Sequence, residues 1–197
     1  MIDNTDAVKL LDSKRGKAIF VATMNANNVN FGLPTITSDE KLDFPVSGAM
    51  SKASNVALGL ALAQPDRKIM CLDGDGSLLM NLGSLVTISN KAPKNLVHVL
   101  FNNRVYAVTG GQPIPGSEIV DWEDMARSAG YAKVFSFDNL EDMTNGIDEA
   151  LSAEGPVFVH LRVAPQIENT PVQFRTPANR TVHTAIADLP ETLGIKR

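Results

Sequence analysis

From residue 66 onward, unbroken apolar runs of strand length alternate with stretches of helix length, and this alternation restricts the possible folds most. "RKIMCLDG" reads as a strand and "SLLMNLGSLVTISNKA" as a helix closed near Pro93. "NLVHVLFN" is a second strand, "DWEDMARSAG" a short helix with acidic residues in its first turn and Gly130 after its end, and "AKVFSF" a third strand. "NLEDMTNGIDEALS" is a helix and "GPVFVHLRVA" a fourth strand. Runs without apolar–polar alternation belong to strands buried on both faces, as in parallel sheets. The β-α-β-α order therefore predicts a doubly wound α/β fold, a mostly parallel sheet with helices on both faces. Upstream, "KAIFVAT" adds a strand and "SKASNVALGLALA" a helix rich in small residues. The pattern is lost after Val163 and prolines scatter, so residues 1–165 are expected to form one domain, with 1–45 its less regular N-terminal part. Residues 166–197 read as an arm or tail.

Charge and composition then exclude several functions. A net charge of −4 leaves no basic footprint for nucleic acid and no polybasic membrane anchor. No apolar run approaches the ~18 residues of a spanning helix, and "MIDNTDAVKLLDSKRG" lacks the basic start and apolar core of a secretory signal. The single cysteine, Cys71, cannot form an internal disulfide and reads as a small core residue. A reducing cytoplasm is the expected compartment.

The first strand of the alternating region runs into "DGDG", and that loop carries the chemistry. A calcium loop fails, because position six is Leu78 where glycine is needed and position twelve is Ser84 where glutamate is needed. No Gly-Lys-Ser/Thr follows for a Walker loop, and the third glycine of a dinucleotide fingerprint is missing. A tight turn alone would account for Gly and Asp, but the next strand ends in "LFNNRVYAVTGGQ". Asn103 falls one strand–helix–strand crossover after Asp75, which places both at the carboxyl edge where α/β sheets bind ligands. One carboxylate and one amide oxygen suit a hard cation that also holds phosphate oxygens, as magnesium does. The N–H groups of Gly76 and Ser77 open a helix and favour an anion. The two loops together predict a metal-bridged diphosphate.

"GDG" followed after 25 residues by "NN" resembles the signature of thiamin diphosphate (ThDP) enzymes, in their diphosphate-binding (PP) domain. "PVSGAMSKASNVALGLALAQPDRKIMCLDGDGS" resembles the segment that precedes it. "VYAVTGGQ" is similar to a stretch of sulfopyruvate decarboxylase β subunits and of the C-terminal half of phosphonopyruvate decarboxylases. The resemblance implies that Asp75, the Asn103 side chain and the Val105 carbonyl bind Mg²⁺. Gly76 and Ser77 would donate to the diphosphate, with Gly74 and Tyr106 completing the cofactor-binding set. It also implies two catalytic positions: Met50 as the wedge that bends the cofactor, and Gly48, whose carbonyl accepts from the pyrimidine 4′-amino group. The bent cofactor would act on a 2-keto acid and accept the electrons left behind by CO₂.

ThDP enzymes also use a glutamate from a second, pyrimidine-binding (PYR) domain, reached across a subunit interface. Roughly 45 residues precede the first match here and some 30 follow the last, fewer than the about 50 with which a separate domain starts. Glu118, Glu123 and Glu141 lie within PP-type elements. The expectation is therefore half a site: a β subunit that needs a PYR-domain α subunit. An acidic substrate tail would need donors, and Lys52, Arg104, Gly110, Gly111 and Gln112 are the candidates. Ala107 and Val108, where related decarboxylases carry a polar residue before "TGGQ", and Lys52, where they carry a small residue or histidine, depart from the pattern and bear on substrate choice. His98 and His160, inside strands, are expected to be hydrogen-bonded structural residues. No histidine pair has the spacing of a zinc site.

Overall fold

In the computed structural model, which describes residues 1–195, the chain folds around a single six-stranded sheet. Helix α1 (Asn4–Ser13) is capped by the Asp3 carboxylate, which accepts from the N–H groups of Thr5 and Asp6. Strand β1 (Ile19–Ala22), short helix α2 (Leu33–Ile36), β2 (Asp43–Pro45), α3 (Ala53–Ala63) and β3 (Ile69–Gly74) follow. Next come α4 (Asp75–Leu79), α5 (Gly83–Lys91) and β4 (Leu96–Asn102), then the two-residue strands β5 (Val105–Tyr106) and β6 (Gln112–Pro113), which pair as a small antiparallel hairpin. The chain continues through α6 (Trp122–Ala129), β7 (Lys133–Phe137), α7 (Leu140–Ser152), β8 (Val157–Arg162) and α8 (Val182–Thr192).

The main sheet has the order β2-β1-β3-β4-β8-β7 and every pairing is parallel, as the unbroken apolar runs predict. Alternate residues of each strand feed two cores. Phe20, Met70, Leu72 and Val99 pack with Ala7, Val8 and Leu11 of α1 and with Met143 and Ile147 of α7. Ile19, Val21, Cys71 and Leu100 pack on the opposite face with Ala53 and Ala57 of α3, Ile88 of α5, and Trp122 and Ala126 of α6. Fully burying one such side chain stabilises the fold by about 1.5–3 kcal/mol, so the two cores carry the domain. The chain leaves β1 toward β2 on one side, then crosses back to β3 on the other. The strand order thus reverses between β1 and β3, and a crevice opens above their carboxyl ends.

Two segments differ from the sequence reading. The stretch expected as one helix is two, α4 and α5, broken around Asn81, whose side chain donates to Ser51 O (3.3 Å) and Asn55 Oδ1 (2.7 Å). The segment expected as an arm runs irregularly at first but ends in α8, which places Ala185 and Leu189 in the second core. Arg180 anchors it, donating to Asp43 O (2.7 Å) and pairing with Asp188 (2.7 Å). The last two residues assigned to that arm, Lys196 and Arg197, lie outside the described residues.

Candidate functional site: a cavity at the strand switch point

The crevice holds a cavity of about 120 Å³ lined by the ends of β1, β3 and β4 and by the turn before α3. From the end of β3 and the start of α4 come Gly74, Asp75, Gly76 and Ser77; from the end of β4 and the segment into β5, Phe101, Asn103, Val105 and Tyr106; from the turn, Met50. Eight of the expected cofactor and metal residues thus converge on one space. Gly48, two residues before Met50, is exposed in a left-handed conformation (φ +76°) and does not line it. Five substrate candidates also lie off it. Lys52 occupies the N-cap position of α3 without a side-chain capping bond, and Arg104 is half-exposed and paired with Glu118 (3.0 Å). Gly110 and Gly111 form left-handed turns, and Gln112 bonds Thr109. Thr23, Met24 and Asn25, just beyond β1, and Thr109 line the cavity without having been singled out, and so do Ala107 and Val108, the two positions that depart from the decarboxylase pattern. Asn25 Oδ1 is buried there with no hydrogen-bond partner. The position of Thr23–Asn25 directly after a buried strand was the only sequence signal for them.

Asp75 is the electrostatic centre. Oδ1 accepts from the Gly76 N–H (2.8 Å) and Oδ2 from the Arg104 N–H (2.6 Å). The second contact depends on Arg104 adopting a left-handed backbone (φ +62°). Burial pushes the Asp75 carboxyl up to about 6, and these backbone N–H bonds only partly oppose the rise. Among the described residues no cationic side chain pairs with it. Asn103 Oδ1 accepts from the Val105 N–H (3.0 Å), which turns the chain into the β5–β6 hairpin. Each of these oxygens keeps a lone pair free. A buried carboxylate lacking a counter-charge, beside an amide oxygen and backbone carbonyls, is a hard donor set, and it fits a divalent cation such as Mg²⁺.

The rest of the site is held in register with this centre. Ser77 Oγ accepts from the Ser51 N–H (3.1 Å), tying the Met50 turn to the start of α4. Ser51 itself is left-handed (φ +76°) and is fixed from the other side by Asn81. Tyr106 closes over Gly76 so tightly that a Cβ there would lie 2.6 Å from its Cε1. Only glycine permits that approach.

Beneath the loop, Asp73 points into the core. Its Oδ1 accepts from the Gly74 N–H (2.9 Å), and Oδ2 lies 3.4 Å from His98 Nε2, within ion-pair reach but outside hydrogen-bond geometry. His98 Nδ1 meets the Tyr131 hydroxyl (2.9 Å). Ligand atoms of Cys71, Asp73 and His98 gather within 4.8 Å of one another, a closeness set by the strand register that pairs Cys71 with His98. Burial, reinforced by Asp73, holds the Cys71 thiol well above its usual range, so the sulfur keeps its proton. His160 sits between Glu123 (2.8 Å) and Asn102 (3.0 Å) at the ends of β8 and β4. Both strand histidines are hydrogen-bonded, structural residues.

Fold and cavity together define a class: a parallel α/β domain whose switch point can hold a cation and the phosphates it neutralises. The family described as "Thiamine pyrophosphate enzyme, C-terminal TPP binding domain" matches residues 23–161. The chain belongs to that family. It is 40% identical over 147 residues to the sulfopyruvate decarboxylase subunit beta of Methanothermobacter thermautotrophicus, covering 73% of this chain and 76% of that protein. It is 42% identical over 127 residues to the phosphonopyruvate decarboxylase of Streptomyces viridochromogenes, covering 64% of this chain and 32% of that one. The fold is shared with the thiamine diphosphate-dependent 4-hydroxybenzoylformate decarboxylase of Rhodococcus jostii RHA1 (TM-score 0.66, 22% identity, 85% of this chain and 33% of that one). The chain thus spans about a third of the last two proteins but three quarters of the β subunit. No described helix is long and apolar enough to cross a membrane.

Proposed function

We propose that this chain is the diphosphate-binding β subunit of a ThDP- and Mg²⁺-dependent 2-keto acid decarboxylase, most like sulfopyruvate decarboxylase, working in the cytoplasm. A partner α subunit with a PYR domain supplies the activating glutamate. One observation carries the reading: Asp75 is the sole carboxylate lining the cavity among the described residues, and it is buried without a counter-charge. That is what one half of a metal–diphosphate site requires. Among the described residues no glutamate lines the cavity to take the second half.

Asp75, the Asn103 amide oxygen and the Val105 carbonyl would hold Mg²⁺. The Gly76 and Ser77 N–H groups would orient the diphosphate at the start of α4. When bound, ThDP supplies an electron sink for the pair released as a 2-keto acid loses CO₂. Met50, locked through Ser51 to Ser77, fixes the height of the cavity floor, and the Gly48 carbonyl would accept from the pyrimidine amino group. Phe101, Tyr106 and Val108 present apolar surface that excludes water from the reacting end. Arg104 and the Gly110–Gln112 turn would meet the acidic substrate tail only if the β5–β6 hairpin shifts toward the cavity, and Lys52 would meet it from the start of α3.

Phosphonopyruvate is the second substrate reading, favoured by the 42% identity to phosphonopyruvate decarboxylase. The test is co-expression with a PYR-domain partner, followed by ThDP titration and CO₂ release from sulfopyruvate and phosphonopyruvate. Turnover is expected only from the assembled pair. Robust decarboxylation by the isolated chain refutes the half-site, and cofactor binding without turnover on any 2-keto acid reduces the chain to a binding module.

A further inference from the structure

At the opposite, amino-terminal edge of the sheet, a second cleft of about 470 Å³ opens between the ends of α1 and α7 and the starts of β1 and β3. Five cationic side chains line it, Lys14, Arg15, Lys17, Arg67 and Lys68, against two carboxylates, Asp66 and Asp148. This is a local excess of positive charge in a chain whose net charge is −4. Two of the five are already neutralised. Arg15 is buried between Asp12 (3.1 Å) and Asp43 (2.8 Å), and Lys14 pairs with Asp148 (2.8 Å). The other three lack an acidic partner among the described residues. Arg67 donates to Lys17 O (2.8 Å), while Lys17 and Lys68 make no ion pair.

Lys68 is the informative member. It is half-buried, and burial holds its ammonium below the usual lysine range with no compensating anion from the protein. The C-termini of α1 and α7 account for a cation apiece through their dipoles, but not for three more converging unpaired on one cleft. The floor is apolar, built from Met70 and the buried Leu151.

We infer that this cleft binds a small polyanion carrying two or more phosphate-type groups, with Lys17, Arg67 and Lys68 as its ligands. Its volume lies in the ordinary range for small-molecule sites. The site is independent of the cofactor cavity, from which the depth of the sheet separates it.

Inorganic pyrophosphate is the probe, used by calorimetry on the full chain in EDTA without ThDP, so that the cation-dependent cavity is silent. Binding is expected in wild type and to fall about 100-fold in Lys17→Ala/Lys68→Met, roughly tenfold for each charged contact removed. Amide resonance shifts should gather at Ala18, Lys68 and Ser152. Both substituted side chains are solvent-accessible, and the wild-type circular dichroism spectrum of the variant checks the fold. Equal affinity of variant and wild type, no binding at millimolar pyrophosphate, or shifts centred on Gly76 and Ser77 would each overturn the proposal.

Discussion

Replacing Asp75 by Asn separates what this residue costs the fold from what it does for the site. Its carboxyl titrates near 6 in the folded chain against a reference of 3.8, the displacement being caused by burial. For an acid with a raised folded value the sign is unfavourable. Between those two values the folded state holds a proton that the unfolded chain has released, so stability falls as pH rises through the window and stays lower above it. The ionisation penalty is about 1.5 kcal/mol at pH 5 and about 3 kcal/mol at pH 8. Asparagine removes that penalty but forfeits one of the two N–H bonds from Gly76 and Arg104, a loss of about 1–2 kcal/mol. Asp75→Asn should therefore be nearly neutral at pH 5 and stabilising by about 1–2 kcal/mol at pH 8. Relative to wild type its Tm should rise by about 3–5 °C between the two pH values. The assay is thermal unfolding of metal-free protein at both pH values, repeated with ThDP and MgCl₂. Wild type should gain stability from the ligands and the variant should not. A Tm difference that does not change with pH would refute the assignment of an uncompensated buried carboxylate. Ligand stabilisation retained by Asp75→Asn would refute its role toward the cation.

Three further outcomes follow from the packing. Gly76→Ala drives a Cβ to 2.6 Å from the Tyr106 ring, so the hairpin must yield; about 1–3 kcal/mol of stability should be lost in chemical denaturation, together with ThDP affinity by titration. Arg15→Met leaves the Asp12 and Asp43 carboxylates facing each other in the interior, and urea melts should show a loss of about 3–5 kcal/mol. That loss should shrink as pH falls, because the orphaned Asp43 carboxylate can then take up a proton. The Asp43 carboxyl, already raised by burial despite Arg15, has a head start. ThDP affinity measured with the partner should weaken as pH drops through about 6, since protonated Asp75 cannot serve a cation.

The sheet was legible because buried parallel strands write themselves as continuous apolar runs, and "KIMCLDG" and "NLVHVLFN" became β3 and β4 with little shift of boundary. The Asp75–Asn103 pair was legible because one crossover separates them. What the chain hid was set by contacts distant in sequence. Nothing in "SLLMNLGSL" announces a break, which is fixed by Asn81 reaching back to Ser51 and Asn55. Arg15, in "DSKRGK", reads as a solvated charge. It is buried because Asp43, 28 residues later, arrives beside it and Phe20 packs under its guanidinium at 4.1 Å. Thr23–Asn25 carry no distinctive chemistry, and only the reversal of strand order brings them to the cavity. The docking of α8 depends on Arg180 finding the carbonyl of Asp43, 137 positions away.

The all-parallel sheet also dictates the order in which this site comes into being. No two neighbouring strands of it are joined by a hairpin: Phe20 pairs with Asp43, Ile19 with Ile69, and Val97 with Val157. Each pairing must close a long loop before any contact rewards it, which slows folding. During synthesis β1, β2, β3 and β4 can assemble once residue 103 has emerged, bringing Asp75 and Asn103 together. The far edge of β4, Leu96 to Asn102, then stays unpaired until Val157–Arg162 is made. For that interval of more than fifty residues the nascent chain carries β4 as an open apolar edge. The last strand to arrive seals it.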